Sequence, residues 1–172
     1  MMTLRATKKV LKSLPLSVEG DRGATTALGD WYVNRLVVDR KPLLLLVCEN
    51  SRLAILEPAR NVKQLPSRLP KLIVRRLHEL GVPASQIASE SWAMTPVSVG
   101  PTRNRSIVGQ MVDFAKALSF YIPEYDWNET DLVAVERRLG NTPCLCSGKA
   151  GSTIWPDKET RKLLAEKWNH RS

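Results

Sequence analysis

The amino-acid sequence predicts an α+β fold: an antiparallel β-meander sheet with amphipathic helices packed mainly on one face, in a single globular domain spanning 1–172. Three observations carry that expectation. Strand-like runs crowd into residues 31–57, the hydrophobic period turns helical from Ser67, and no segment repeats. The chain has 172 residues, 43% hydrophobic and 25% charged, the composition and size of one ordinary domain. A chain of this length buries about two-thirds of its unfolded surface, so it needs neither disulfides nor a metal to fold. Its longest apolar run, Leu43 to Cys48, is six residues. A membrane-spanning helix needs about 20, which excludes an integral helical membrane protein.

Met1 to Ala6 alternates weakly and predicts a short strand. Thr7 can cap a short helix over Lys8 to Leu14, ended by Pro15. Residues 15–29 hold three glycines and a proline and predict a loop, long enough for a compact domain to be mobile or functional. Trp31 to Asp39 is rich in β-branched and aromatic residues and predicts a strand, with Arg40-Lys41-Pro42 as the turn. Leu43 to Glu49 suits a central strand buried on both faces. Asn50-Ser51 turns the chain into a third strand of the meander, Arg52 to Glu57.

From Ser67 to Leu80, Leu69, Leu72, Ile73, Leu77 and Leu80 recur at helical spacing, and Gly81 with Pro83 ends the helix. A short helix over Ser85 to Ser91 precedes a strand over Ala93 to Val99, where Pro96 points to a sheet edge. A strong helix follows Arg103-Asn104-Arg105-Ser106, with Ile107, Met111, Phe114 and Leu118 on its inner face and Pro123 as terminator. Asn128 or Thr130 opens another helix that closes at Gly140. Residues 141–153 predict a loop before a C-terminal helix from Pro156 to about Trp168.

The charge is uneven. Net charge is +9, and residues 58–118 carry nine basic residues against three acidic ones. Such basicity favours a polyanionic partner, nucleic acid or an anionic membrane surface, with an acidic protein surface as a further alternative and no membrane expected as partner. Within that third, Arg60, Lys63, Arg68, Lys71, Arg75 and Arg76 meet no acid between Glu57 and Glu79. Arg68, Lys71 and Arg75 share a helix face opposite the leucines, where phosphates could sit. The same stretch fits a solvated face whose cations reach acids elsewhere, such as the run from Glu124 to Asp131.

Arg103, Arg105 and Ser106 stand at a predicted helix start. Exposed amides and the helix dipole attract anions there and disfavour cations by about 0.3–1 kcal/mol. Two arginines at that place fit a bound phosphate or carboxylate. They fit equally a plain Asn104 or Ser106 cap with the arginines paired to Asp113, Glu90 or the acidic run. The pair Trp31-Tyr32 after Gly29-Asp30 could stack on a base, or anchor the core. The tryptophans at 31, 92, 127, 155 and 168 are scattered and form no stacking platform in sequence.

Cys48, Cys144 and Cys146 make no even framework, and C-x-C is poor zinc spacing with only His78 and His170 to complete a set. The expectation is reduced cysteines, no metal and no cofactor, in the cytoplasm, since no signal peptide follows Met1 to Val10. No phosphate-loop, dinucleotide or metalloprotease motif is present.

Four stretches together carry a resemblance: Arg5 to Leu11 (R-A-T-K-K-V-L), Leu28 to Tyr32 (L-G-D-W-Y), Arg105 to Phe114 (R-S-I-V-G-Q-M-V-D-F) and Thr142-Pro143-Cys144. The sequence resembles a bacterial domain family of unknown function over residues 4 to about 145. Ala6 replaces a cysteine frequent in that family. The resemblance implies one domain in a bacterial cytoplasm and transfers no catalytic residue. The expected function is non-enzymatic binding of an anionic partner such as nucleic acid, through Arg103, Arg105, Ser106, Arg68, Lys71, Arg75 and Arg76. Two alternatives stand beside it: a protein-interaction module partnering a toxin or mobile-element protein, and an enzyme acting on a small phosphorylated or carboxylated substrate.

Overall fold

A computed structural model describes residues 1–17, 23–122, 126–145 and 152–169. Its centre is a mixed five-stranded sheet of order β4-β3-β2-β1-β5, formed by β1 (Met2–Ala6), β2 (Trp31–Val38), β3 (Lys41–Cys48), β4 (Ala54–Pro58) and β5 (Val97–Pro101). The helices are α1 (Lys8–Leu11), α2 (Leu65–Glu79), α3 (Ala84–Ala93), α4 (Arg105–Tyr121), α5 (Glu129–Gly140) and α6 (Pro156–Trp168). The two-residue strands β6 (Cys144–Leu145) and β7 (Thr153–Ile154) pair apart from the main sheet. The α+β class holds.

The meander is antiparallel through β2, β3 and β4, as the sequence predicts. The sheet as a whole is not antiparallel: β1 lies between β2 and β5 and runs parallel to both. Hydrophobic periodicity does not reveal this, because a five-residue strand of alternating character reads the same in either direction. The first hairpin turns at Asp39-Arg40, both at positive φ, with Val38 opposite Lys41. A two-residue hairpin loop with positive φ at both positions matches the sheet's twist, so Lys41 and Pro42 belong to β3 rather than to the turn. β5 is an edge strand as expected, and it starts at Val97, after Pro96. Proline lacks the N–H that a ladder needs.

The helices cover both faces, not mainly one. Leu44, Leu46 and Cys48 of β3 face a core with Val10 of α1, Leu69 and Ile73 of α2, Ile87 of α3, and Leu164 and Trp168 of α6. Leu43, Leu45 and Val47 face a second core with Ile107, Met111 and Phe114 of α4 and Leu132, Val135 and Leu139 of α5. All six residues Leu43 to Cys48 are fully buried. Each buried leucine is worth about 1.5–3 kcal/mol, so neither face can be left wet. Among the described residues, no helix is long and apolar enough to cross a membrane.

The second half of the long loop is held, not loose. Ala27 and Leu28 are buried, and their amides donate to the Glu90 carboxylate at 2.9 and 3.1 Å. Glu90 also accepts from Trp168 Nε1 at 2.7 Å, which ties loop, α3 and α6 together.

The edge at β4 is closed by charge. Glu136 of α5 accepts from the Leu56 amide at 3.2 Å and binds both Nη atoms of Arg75 on α2 at 3.0 Å. Burial pushes the Glu136 carboxyl above its ordinary range, against the hydrogen bonds and charge of Arg75. Arg76, 1% exposed, donates to the Glu136 carbonyl at 3.2 Å and to Asp157 of α6 at 3.0 Å. Gly140 lets that carboxylate pass, since a Cβ there would fall inside the Asp157 carboxyl group. Removing one member of a buried ion pair costs about 3–5 kcal/mol, because the other is left uncompensated. Glu136→Ala is therefore expected to lower the unfolding free energy by about that amount in urea denaturation at pH 7. Gly140→Ala should lower it by about 1–3 kcal/mol through overpacking.

A candidate anion site at the start of helix α4

The α2 face is not an unneutralised stripe of cations. Arg68 donates to Glu57 at 3.2 Å and to the Arg60 carbonyl at 2.9 Å. Arg75 is shared between Glu136 and Glu79, the latter at 2.8 Å. Burial alone would lower its pKa, but the Glu136 and Glu79 bonds hold it above its ordinary value. Arg76 points inward, to Asp157. The acids come from β4, α5, α6 and α2 itself. Arg60, Lys63 and Lys71 stay exposed.

A different cluster forms where β1 and β5 end. Asp30, 2% exposed, accepts from the Thr3 amide at 2.8 Å, from Arg5 Nε at 3.1 Å and from Arg103 Nη2 at 3.5 Å. Arg5 is 6% exposed and sits opposite Tyr32 on β2 and Gly100 on β5. The Arg5 guanidinium packs over Gly100, 3.4 Å from the ideal Cβ position, which is ordinary van der Waals contact. So Arg103 reaches an acid that spacing did not suggest, and it does so across 73 residues of chain.

Asn104 caps α4, accepting from the Ser106 amide at 3.0 Å, and the first turn holds no acid. Arg105, the first helical residue, is exposed. Ser106 Oγ accepts from Arg52 Nη2 at 3.2 Å, and Arg52 Nη1 donates to the Glu49 carbonyl. Arg52 is aimed by backbone rather than by a motif: its φ of 63° puts it in the left-handed region at the β3–β4 turn. Periodicity gives no signal for such a residue.

Tyr32 completes the group. Its ring is fully buried, so it anchors the core and is not a base-stacking surface; Trp31, at 1% exposure, faces the opposite core. The Tyr32 hydroxyl lies beside the Asn104 amide but meets no partner at hydrogen-bond geometry among the described residues. Burial raises its pKa and the Glu49 charge adds to this, against the Asn104 amide, Arg5 and Arg103. An unpartnered buried hydroxyl costs about 1–3 kcal/mol, and it faces the end of the helix where anions are favoured.

Cys48 is a core group. Burial pushes its thiol up to about 11, and it donates to the Leu28 carbonyl at 2.9 Å. Cys144 is buried in the second core. Cys146, His170, Pro123, Glu124 and Tyr125 lie outside the described residues. Among those described, no group of three His, Cys, Asp or Glu is placed to hold a metal ion.

The cluster separates structural from available cations. Asp30→Ala strips the buried Arg5 of its carboxylate and is expected to cost about 3–5 kcal/mol in urea denaturation. The double change Arg103→Ala with Arg105→Ala removes cations at the surface, and Arg103 is 44% exposed where it meets Asp30. It should move the unfolding free energy by less than about 1 kcal/mol.

Arg5, Asp30 with Tyr32, and Arg105 with Ser106 come from three of the four stretches that carry the family resemblance, and the fold brings them to one corner of the sheet. A search of curated proteins finds no match. The family model described as "Domain of unknown function (DUF6933)" matches residues 3–159, nearly the whole chain, and the chain belongs to that family.

Proposed function

We propose that the chain is a binding protein for an anionic, phosphate-bearing partner, engaged at the start of α4, and that the partner is nucleic acid. The observation that carries this reading is the capped N-terminus of a 17-residue helix with no acid in its first turn, set beside Arg52, Arg103, Arg105 and the unpartnered Tyr32 hydroxyl. Amides and guanidinium groups are hydrogen-bond donors, and a phosphate oxygen accepts from both. The net charge of +9 supports a polyanion over a small neutral ligand. The pairing of Arg68, Arg75 and Arg76 with internal acids moves the proposed interface from α2 to α4. Lys71 remains available as an exposed cation on α2.

Phosphate contacts fix position without reading sequence, so affinity should depend strongly on salt and weakly on base composition. Fluorescence anisotropy with a labelled oligonucleotide across a salt series tests this. Binding is expected to weaken steeply as salt rises. Arg103→Ala with Arg105→Ala should weaken it further and flatten the log–log slope by about 0.7–0.9 for each phosphate that the variant no longer neutralises. Absence of binding at low salt, or an affinity indifferent to salt, would overturn the proposal.

A further inference from the structure

Trp92 lies in the last turn of α3 and is 81% exposed, against 43% for Trp155 and 7% or less for Trp31, Trp127 and Trp168. The neighbouring positions on its helix do the burying: Ile87, Glu90 and Ala93 face inward. The indole stands at a cleft of about 690 Å³ that is also lined by Thr25, Thr95, Lys167 and Trp168. The scatter of tryptophans along the chain concealed this meeting, because α3 and α6 bring together two residues 76 positions apart.

The far wall is held in place and polar. Trp168 is fixed by its Nε1 bond to Glu90 at 2.7 Å. Lys167 is anchored twice, with its Nζ 3.2 Å from the Thr26 carbonyl and 5.3 Å from the centre of the Trp168 ring. The carboxylate behind this wall is already engaged, since Glu90 accepts from two backbone amides as well as the indole. The cleft thus offers an exposed aromatic plane within one site of a positioned ammonium group. A planar base fits the first and its phosphate the second.

We infer that this cleft stacks an unpaired base, so that the partner is a single-stranded nucleic acid. The inference rests on the reading of the α4 site as a phosphate site and names which nucleic acid it takes. In a duplex both faces of every internal base are covered by its neighbours, and an indole has nothing to stack on. The tryptophan cleft lies near the start of the edge strand β5 and the arginine cluster near its end on the other face of the sheet, at least about 16 Å apart, so a strand that joins them passes along and over that edge. A single strand of about four or more nucleotides covers such a distance.

The test measures anisotropy of a labelled oligothymidylate and of a labelled duplex of the same length, with the full chain. The variants are Trp92→Ala, Trp92→Phe, Lys167→Gln, and Arg103→Ala with Arg105→Ala. Trp92 is exposed, so its replacement leaves the core intact, and an unchanged unfolding midpoint verifies this. The expected result is tighter binding to the single strand than to the duplex. Trp92→Ala should weaken single-strand binding roughly 5- to 150-fold and leave duplex binding unchanged, with partial rescue by Trp92→Phe. Lys167→Gln should weaken single-strand binding and flatten its salt slope. Equal affinity for both forms, or a Trp92→Ala affinity unchanged for the single strand or reduced alike for both, overturns the stacking inference. In that case, binding that still depends on Arg103 and Arg105 leaves the α4 site standing. No binding to either form, or binding indifferent to the two arginines, overturns the α4 reading itself.

Discussion

A strand without a solvent face needs a packed layer on each side, and β3 imposes that need on the whole chain. Leu43 to Cys48 send alternate side chains into two separate cores, so a one-sided sheet would leave half of them in water. The chain meets the demand by laying α1, α2, α3 and α6 on one face and α4 and α5 on the other. Helices on both faces in turn fit long connections between strands, the kind that let β1 run parallel to its neighbours. The three layers thus follow from one doubly buried segment, and they accommodate the mixed topology.

Layers on both faces bring the chain's charges together around the sheet edges. At β4, Arg75 reaches across to Glu136 while Arg76 meets Asp157 of α6, and the Glu136 carboxylate also satisfies the Leu56 amide. That bond occupies part of an edge that could otherwise pair with another strand. At the β1–β5 side, Asp30 gathers Arg5 and Arg103 with the Thr3 amide. Buried pairs of this kind contribute little net stability when intact, and their loss is costly. Their value here lies in position: they fix α2 and α5 across the β4 edge and hold the strand ends that carry the start of α4.

The same arrangement sorts cations by role. A basic side chain that meets an acid of another element becomes part of the frame, as Arg68, Arg75 and Arg76 do. A basic side chain at a strand end or a helix start faces outward, as Arg105 does, beside the free amides of the helix's first turn. The two proposed binding points, the α4 start and the Trp92 cleft, both lie at ends of the β1–β5 pair. Strand ends are where the covering helices stop and side chains regain access to water.

Local elements and fold class were legible in the order of residues alone. A β-branched and aromatic run and a short bounded apolar run located the meander, the period of 3.6 located the long helices, Pro96 marked an edge strand, and Asn104 or Ser106 marked a cap, which packing gives to Asn104. The four motif stretches were also enough to point to the family. These are properties of near neighbours in the chain, where one or two turns of backbone set what a residue faces. Packing settled the rest: that β1 is central and parallel, that helices cover both faces, and which arginines have partners. Arg103 finds Asp30 across 73 positions, Arg76 finds Asp157 across 81, and Trp92 joins Trp168 at one cleft. Charge and exposure are set by whatever packs against a residue, and a chain's own periodicity holds no record of partners that distant.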